Sequence, residues 1–268
     1  MFILVPPSEG KAVPTDAEPV ISGSLVLPQL TPLREAMVAS LAKLSSGPVK
    51  RALTTLGLTE GQRGELARNQ VLADAPAAPA AEVYRGVLYE ALDLPGLRED
   101  EPAAYRRAQE SVLIFSGLWG ALRPQDRIPY YRCSAGVKLP GVGSVTAAWK
   151  KALGGPLSDL VGERLVVDLR STAYAGMWRP GGLAATGRTV TVRVMHERLV
   201  GGVLKRSVVS HFNKATKGRL VRAVLIAGAE PKTPAEFADA LRDLGFRVEA
   251  TAGASEGATA LDVIVAEI

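Results

Sequence analysis

Apolar residues along the chain fall in short runs whose period changes several times. Phe2 to Val5 is continuously apolar and stops at Pro6-Pro7, the form of a buried strand. Helical patterning opens at Thr31-Pro32-Leu33, where Thr31 offers an N-cap, Pro32 suits a first helical position and Glu35 follows. Residues 31–72 then read as two or three short helices punctuated by Gly47-Pro48 and Gly57, and Ala73 to Ala81 as a connector. Glu101 to Glu110 reads as a helix running into the strand Val112-Leu113-Ile114-Phe115. Further strands are predicted at Leu165-Val166-Val167, in the alternation Thr189 to Val194, and at Val208-Val209. Lys214 to Ala227 reads as a helix. Thr233-Pro234-Ala235-Glu236 has the form of a capping box opening another, to about Leu244, with Gly245 as its stop. Phe246 to Thr251 and Leu261 to Ile268 flank a Gly/Ala/Ser loop as a β-hairpin. The pattern predicts a mixed α/β fold over residues 1–268, one compact domain with a central mixed sheet flanked by helices.

Four of these strands run directly into polar or glycine-bearing loops. They are Pro6-Pro7-Ser8-Glu9-Gly10-Lys11, Ser116 to Asp126, Arg170-Ser171-Thr172-Ala173-Tyr174, and Ser210-His211-Phe212-Asn213-Lys214-Ala215-Thr216-Lys217-Gly218. In sheets of β and α elements, ligands collect at the carboxyl edge of parallel strands. If these strands are parallel, the four loops share one cleft.

Composition narrows the setting. Of 268 residues 47% are hydrophobic and 22% charged, enough to bury a large core. No apolar run approaches the roughly 18 residues of a membrane span, and Phe2–Val5 is too short for a signal-peptide core. No membrane partner is expected. The one cysteine, Cys133, cannot close an intrachain disulfide, and with only His196 and His211 beside it a Cys/His zinc site has no material. Neither metal nor cofactor is expected, and the reducing cytoplasm is the expected location.

The net charge of +5 is unevenly spread. Residues 203–222 carry Lys205, Arg206, Lys214, Lys217, Arg219 and Arg222 with no acid, a block of +6. Residues 118–152 hold Arg123, Arg127, Arg132, Lys138, Lys150 and Lys151 against Asp126, for +5, so the remainder is −6. Clustered cations suit a polyanion, because each phosphate contact releases counterions; a solvated basic face with no ligand is the plain alternative.

Individual motifs exclude more than they assign. Gly10-Lys11 lacks a phosphate loop's earlier glycine, being Val5 there, and its following hydroxyl, being Ala12. Ser8 and Lys11 have Ser-x-x-Lys spacing, but Gly10 disfavours the helix start on which that pair works, and a hydrogen-bonded turn is the default. Ser116-Gly117 lacks the nucleophile elbow's preceding glycine, since Ile114 stands there. Arg123 and Arg127 could grip phosphate, with Asp126 their ion-pair partner or an acid. His211 is open as a base, a stacking platform or a structural histidine. Lys214, Lys217 and Arg219 crowd a helix start, a natural anion site. Trp119, Trp149, Trp178, Tyr130 and Tyr131 lie in or near basic stretches, as stacking on bases requires.

Ser116-Gly117-Leu118-Trp119-Gly120-Ala121-Leu122-Arg123-Pro124 with Asp126, Tyr131 and Arg132 resembles the Ser-Gly-Leu-Tyr-Gly-x-Leu-Arg-Pro-x-Asp and following Tyr-Arg of the YaaA family of bacterial peroxide-stress proteins. Val83-Tyr84-x-Gly86, Leu169-x-Ser171-x-x-Tyr174 and Lys214-x-x-Lys217-Gly218 extend the resemblance to nearly the whole length. The Pro6–Lys11 loop is longer than the Pro-Ala-Lys form of some relatives, and Thr172 and Ala173 stand where some carry acids. The resemblance implies a compact α/β domain with a basic cleft, DNA binding and a cytoplasmic role in limiting iron-linked oxidative damage.

Two functions are therefore expected in competition. The first is binding of the DNA phosphate backbone with little sequence specificity, by Lys11, Arg123, Arg127, Arg132, Lys205, Arg206, Lys214, Lys217 and Arg219. The second is an enzyme acting on a nucleotide, nucleobase or other anionic small molecule, with Ser8, Glu9, Asp126, Ser171, Tyr174 and His211 as candidate catalytic residues. Iron sequestration by direct ligation is a third possibility. The sequence leaves the oligomeric state open.

Overall fold

The computed structural model describes residues 1–15, 17–181, 187–200, 203–207, 210–252 and 259–266. Its centre is a mixed sheet. Strand β1 (Phe2–Val5) is fully buried and pairs in parallel with two others, because an apolar run with no polar face is stable only where both sides of the sheet are covered.

The other strands follow along the chain. They are β2 (Ala78–Pro79), β3 (Val112–Ser116), β4 (Gly120–Leu122), β5 (Arg127–Ile128), β6 (Lys138–Leu139), β7 (Gly143–Ser144), β8 (Val166–Asp168), β9 (Thr189–Val200), β10 (Val203–Ser207), β11 (Arg247–Ala252) and β12 (Thr259–Ala266). The main sheet runs β11-β12-β9-β8-β1-β3-β4, with β10 paired to the far half of β9. Strands β3, β1, β8, β9 and β12 are mutually parallel, while β4, β10 and β11 are antiparallel to their neighbours. The last two strands form the predicted C-terminal pair; their loop and the final residues 267–268 lie outside the described residues, as do Val208-Val209.

Helices flank this sheet: α1 (Thr31–Ser45), α2 (Val49–Leu56), α3 (Gly64–Gln70), α4 (Ala80–Val83), α5 (Val87–Leu92), α6 (Leu94–Asp100), α7 (Pro102–Ser111), α8 (Val145–Val161), α9 (Thr172–Ala175), α10 (Ser210–Ala227) and α11 (Pro234–Asp243). Two local expectations need correction. Thr31 is already helical, with Leu30 in the cap position and no side-chain cap, because the 3-10 turn Pro28–Leu30 leads straight into α1. Thr233 does cap α11, its hydroxyl accepting from the Glu236 amide at 3.2 Å, but Glu236 reaches the amide of Lys232 instead of closing back on Thr233.

The buried side chains form one connected cluster from β1 through α1, α5, β3, α8 and α11. Helix α10 crosses α5 at Gly218, where an added Cβ would lie 2.3 Å from the Leu88 carbonyl oxygen, so only glycine permits this approach. One residue before it, Lys217 donates to the Leu169 carbonyl at 2.9 Å and holds this middle part of α10 against the loop after β8.

Candidate functional site

Strands β1, β3 and β8 end at Val5, Ser116 and Asp168, and because they are parallel their following loops emerge on one edge. The β1 loop cannot continue as strand through Pro6-Pro7. It is folded back by backbone pairing with the segment after α4: the Ala12 amide donates to Val83 (2.7 Å), the Arg85 amide to Gly10 (2.9 Å), and Lys11 bridges Tyr84. Tyr89 pins the loop's start by donating from its hydroxyl to the Pro6 carbonyl at 2.7 Å.

This fold turns the Lys11 side chain inward. Its ammonium donates to the Ser8 carbonyl at 2.7 Å and lies 4.4 Å from the centre of the Tyr131 ring and 5.5 Å from that of Tyr84. Burial brings the amine down to about 8, with Arg132 acting in the same direction and Glu9 against it. Below the lysine the hydroxyls of Tyr84 and Tyr131 meet at 2.7 Å, and those of Tyr131 and Ser116 at 2.6 Å. Ser116 in turn accepts from the amides of Leu118 (3.2 Å) and Trp119 (3.0 Å). Tyr84 stacks on Tyr89 with ring centres 5.2 Å apart.

Burial pushes the phenols of Tyr84, Tyr89, Tyr131 and Tyr174 above their ordinary range, so at neutral pH they are donors and not anions. The thiol of Cys133 is likewise pushed up to about 12 by burial, the charge of Lys11 opposing this only in part. It is a protonated, unreactive thiol.

The glycine motif after β3 builds the floor. A Cβ on Gly117 would stand 2.5 Å from the Cys133 carbonyl oxygen, so at this position the β3 loop and the 131–135 segment meet backbone to backbone. Trp149 of α8 donates its indole N–H to the Gly117 carbonyl at 2.8 Å, and its ring fills the space beside Gly120, whose φ is +79°. At the rim Arg132 binds both the Glu9 carboxylate (2.7 Å) and the Glu9 carbonyl (2.8 Å). Half-buried Tyr174 and exposed Ser171 come from the β8 loop, and Ser8 packs against Gly86.

The remaining predicted residues scatter by role. Asp126 is buried and accepts from the amides of Val26 (3.1 Å) and Arg123 (2.9 Å), which makes it a turn-closing acceptor; burial raises its carboxyl pKa against those two bonds. Arg123 turns to the Gln109 carbonyl before the amino end of β3, and Arg127 to the Ala77 carbonyl. Lys217 is half-buried and donates to Leu169 at 2.9 Å, tying α10 to the β8 loop, with burial lowering its amine. Arg206 lies between Glu197 and Glu249 at 2.9 and 2.6 Å. Lys205, Lys214 and Arg219 are exposed and form no ion pair among the described residues. The side chain of His211 is outside those residues.

Two arginines that sequence reasoning passed over are buried. Arg34 of α1 donates to the carbonyls of Val26, Leu27, Trp119 and Ala121, and burial lowers its guanidinium to about 10. Arg170 pairs in bidentate fashion with Asp168 and lies over the Phe115 ring. Tyr84 was visible only as a motif residue, Tyr131 also as a stacking aromatic and Ser116 also as an excluded nucleophile. Among the described residues no three His, Cys, Asp or Glu side chains gather to hold a metal, and no helix is long and apolar enough to cross a membrane.

The residues that build this floor and pocket are those of the family motif, and residues 1–252 match the family described as Peroxide stress protein YaaA. The chain belongs to the YaaA family. It is 53% identical over 269 residues to a UPF0246 protein of Streptomyces coelicolor, covering 100% of each chain. It is 40% identical over 261 residues to a UPF0246 protein of Corynebacterium efficiens, covering 97% of this chain and 99% of the relative. A UPF0246 protein of Corynebacterium glutamicum is 35% identical over 253 residues, covering 93% and 95%. Within the family frame, Val83-Tyr84-x-Gly86 supplies the wall of the lysine pocket, and Ser116-Gly117 its floor.

Proposed function

We propose that this YaaA-family protein acts in the cytoplasmic response to peroxide by binding DNA phosphates, with little sequence specificity, around the carboxyl edge of the sheet. The observation that carries this reading is the placement of α10: Lys217 anchors it to the β8 loop while Lys214 and Arg219 remain exposed and, among the described residues, unmatched by acids, with Lys205 exposed on β10 before it. Helix α10 begins at Ser210, so Lys214 stands one turn in and Arg219 further along, and these exposed cations attract phosphate through their charge. The sequence-level basic wall is reduced in this reading, since Arg206 and Arg132 are neutralised and Arg123 and Arg127 are engaged elsewhere. Contacts confined to phosphates predict affinity that falls steeply with salt.

Fluorescence anisotropy on duplexes of unrelated sequence, repeated from low to moderate salt, tests this. Lys205→Glu with Lys214→Glu is expected to weaken binding at least tenfold for every sequence and to flatten the log–log salt slope by roughly two. Binding that ignores salt, or an unchanged slope in the double variant, contradicts the reading.

A second reading, an enzyme for a nucleotide, nucleobase or other anionic small molecule, is favoured by a separate observation. The Lys11 pocket combines an amine near 8 with linked neutral hydroxyls, which a phosphate-binding surface does not need.

A further inference from the structure

We propose that Lys11 is a nucleophilic amine that condenses with the carbonyl group of a small aldehyde or ketone to form an imine, while the Tyr84 hydroxyl protonates the departing oxygen. The inference rests on the second reading above, that the Lys11 pocket is reactive, and is independent of DNA binding.

The first support is what holds the amine. A lysine that serves as a structural cation is normally met by a carboxylate. Here the adjacent carboxylate, Glu9, is engaged by Arg132, and the hydrogen bond recorded for the Lys11 amine goes to a neutral carbonyl, that of Ser8. Its remaining contacts are the faces of Tyr131 and Tyr84.

The second support is the proton inventory of the linked hydroxyls. A serine hydroxyl has one hydrogen and two acceptor positions. Ser116 uses both acceptor positions on the amides of Leu118 and Trp119, so its own hydrogen goes to Tyr131. Tyr131 is buried and, accepting from Ser116, satisfies its hydrogen by donating to Tyr84. The chain therefore runs Ser116 to Tyr131 to Tyr84. The hydrogen of the last member, Tyr84, is not used in that chain; its other hydroxyl neighbour is Ser116. Ser116 cannot take it, having no free position. A buried hydroxyl hydrogen near an amine that is not met by a carboxylate suits a carbonyl group, its oxygen toward Tyr84 and its carbon toward Lys11.

The chemistry balances without an oxidant or reductant. The Lys11 nitrogen pair attacks the carbonyl carbon and the carbon–oxygen π bond breaks. Tyr84 gives its proton to the oxygen, the nitrogen gives up both hydrogens, one restoring Tyr84 and the other passing to the oxygen, and that oxygen leaves as water while the carbon–nitrogen double bond closes. Ser116 and Tyr131 hold the Tyr84 oxygen in place throughout. With an amine at about 8, roughly a quarter of the molecules present neutral nitrogen at pH 7.5, against about one in a thousand for an ordinary lysine.

The full chain is incubated with glyoxylate and sodium cyanoborohydride, digested, and each lysine's adduct followed by mass spectrometry. Lys11 is expected to be modified at least tenfold faster at pH 7.5 than exposed Lys43 or Lys214, with its rate rising through a midpoint near 8. Tyr84→Phe, which keeps the ring stack on Tyr89 but takes the acceptor from the Tyr131 hydroxyl, is expected to slow Lys11 about tenfold while the exposed lysines react as before and the chain stays folded at the assay temperature. Lys11→Arg is expected to remove the fast adduct. A Lys11 rate no higher than that of Lys43, or one that climbs only above pH 10, overturns the proposal; an unchanged rate in Tyr84→Phe overturns the role of Tyr84. The Lys11 adduct rate is also measured in Lys205→Glu with Lys214→Glu and is expected to match the unsubstituted chain, so failure of either reading leaves the other decided by its own assay.

Discussion

Cations are treated in opposite ways in two regions of this molecule. Around the ends of β1, β3 and β8, Lys11, Arg34 and Arg170 are withdrawn from water, and backbone carbonyls carry much of their hydrogen bonding. On the strands β9 to β11, Arg206 and Arg247 stand at the surface and are matched by Glu197 and Glu249. The first arrangement fixes the positions of loops. The second largely cancels charge. Counting cations along a sequence therefore overstates what a polyanion meets, because a guanidinium that spans several carbonyls is part of the scaffold.

The sharpest way to break this comparison is to remove one arginine from each region. Arg34→Met leaves four carbonyl oxygens buried without their donor and is expected to cost about 3–5 kcal/mol. Arg206→Met removes an exposed pair member and is expected to leave the unfolding midpoint unchanged in urea titrations. Equal losses from both would dissolve the distinction. A smaller effect is expected at Cys133. The thiol is held protonated to about 12, so in the folded chain it should resist a disulfide reagent at pH 8 for hours and react at once in denaturant. Cys133→Ser should change stability by less than about 1.5 kcal/mol. Rapid labelling of the native thiol would show that Cys133 meets solvent where this account buries it.

The sheet was legible because its strands are written as apolar runs: β1, β3 and β8 are continuous, and β9 alternates, with Val190, Val192 and Val194 buried. Helix α8 was not, although Val145, Trp149, Leu153, Leu157 and Val161 recur every fourth residue and are all buried. Gly154-Gly155-Pro156 sits inside that helix and carries the composition of a loop. The helices of residues 80–100 were hidden in the same way by Gly86 and by Asp93, which ends one helix and caps the next from a left-handed conformation.

For the site, edge location followed from strand and loop order, and Lys11 was named as a cation. Its chemistry was not readable, because nothing local to Tyr84, Tyr131 or Ser116 announces that their hydroxyls meet. That meeting depends on β1 pairing with β3 in the register Val5 to Ile114, and on Gly117 admitting the backbone of Cys133. Arg34 was lost for the same reason, since two of the four carbonyls it binds lie 85 or more residues along the chain.

The central claim is that the folded chain holds the Lys11 amine among tyrosines with its proton weakened. Nitrogen-15 NMR of the lysine side chains across pH 6 to 11 reads this directly, with Lys11→Arg assigning the resonance. The account predicts one amine titrating near 8, protonated below that and neutral above it, and absent from the variant. A Lys11 signal that stays protonated until the ordinary value of 10.5 would contradict it.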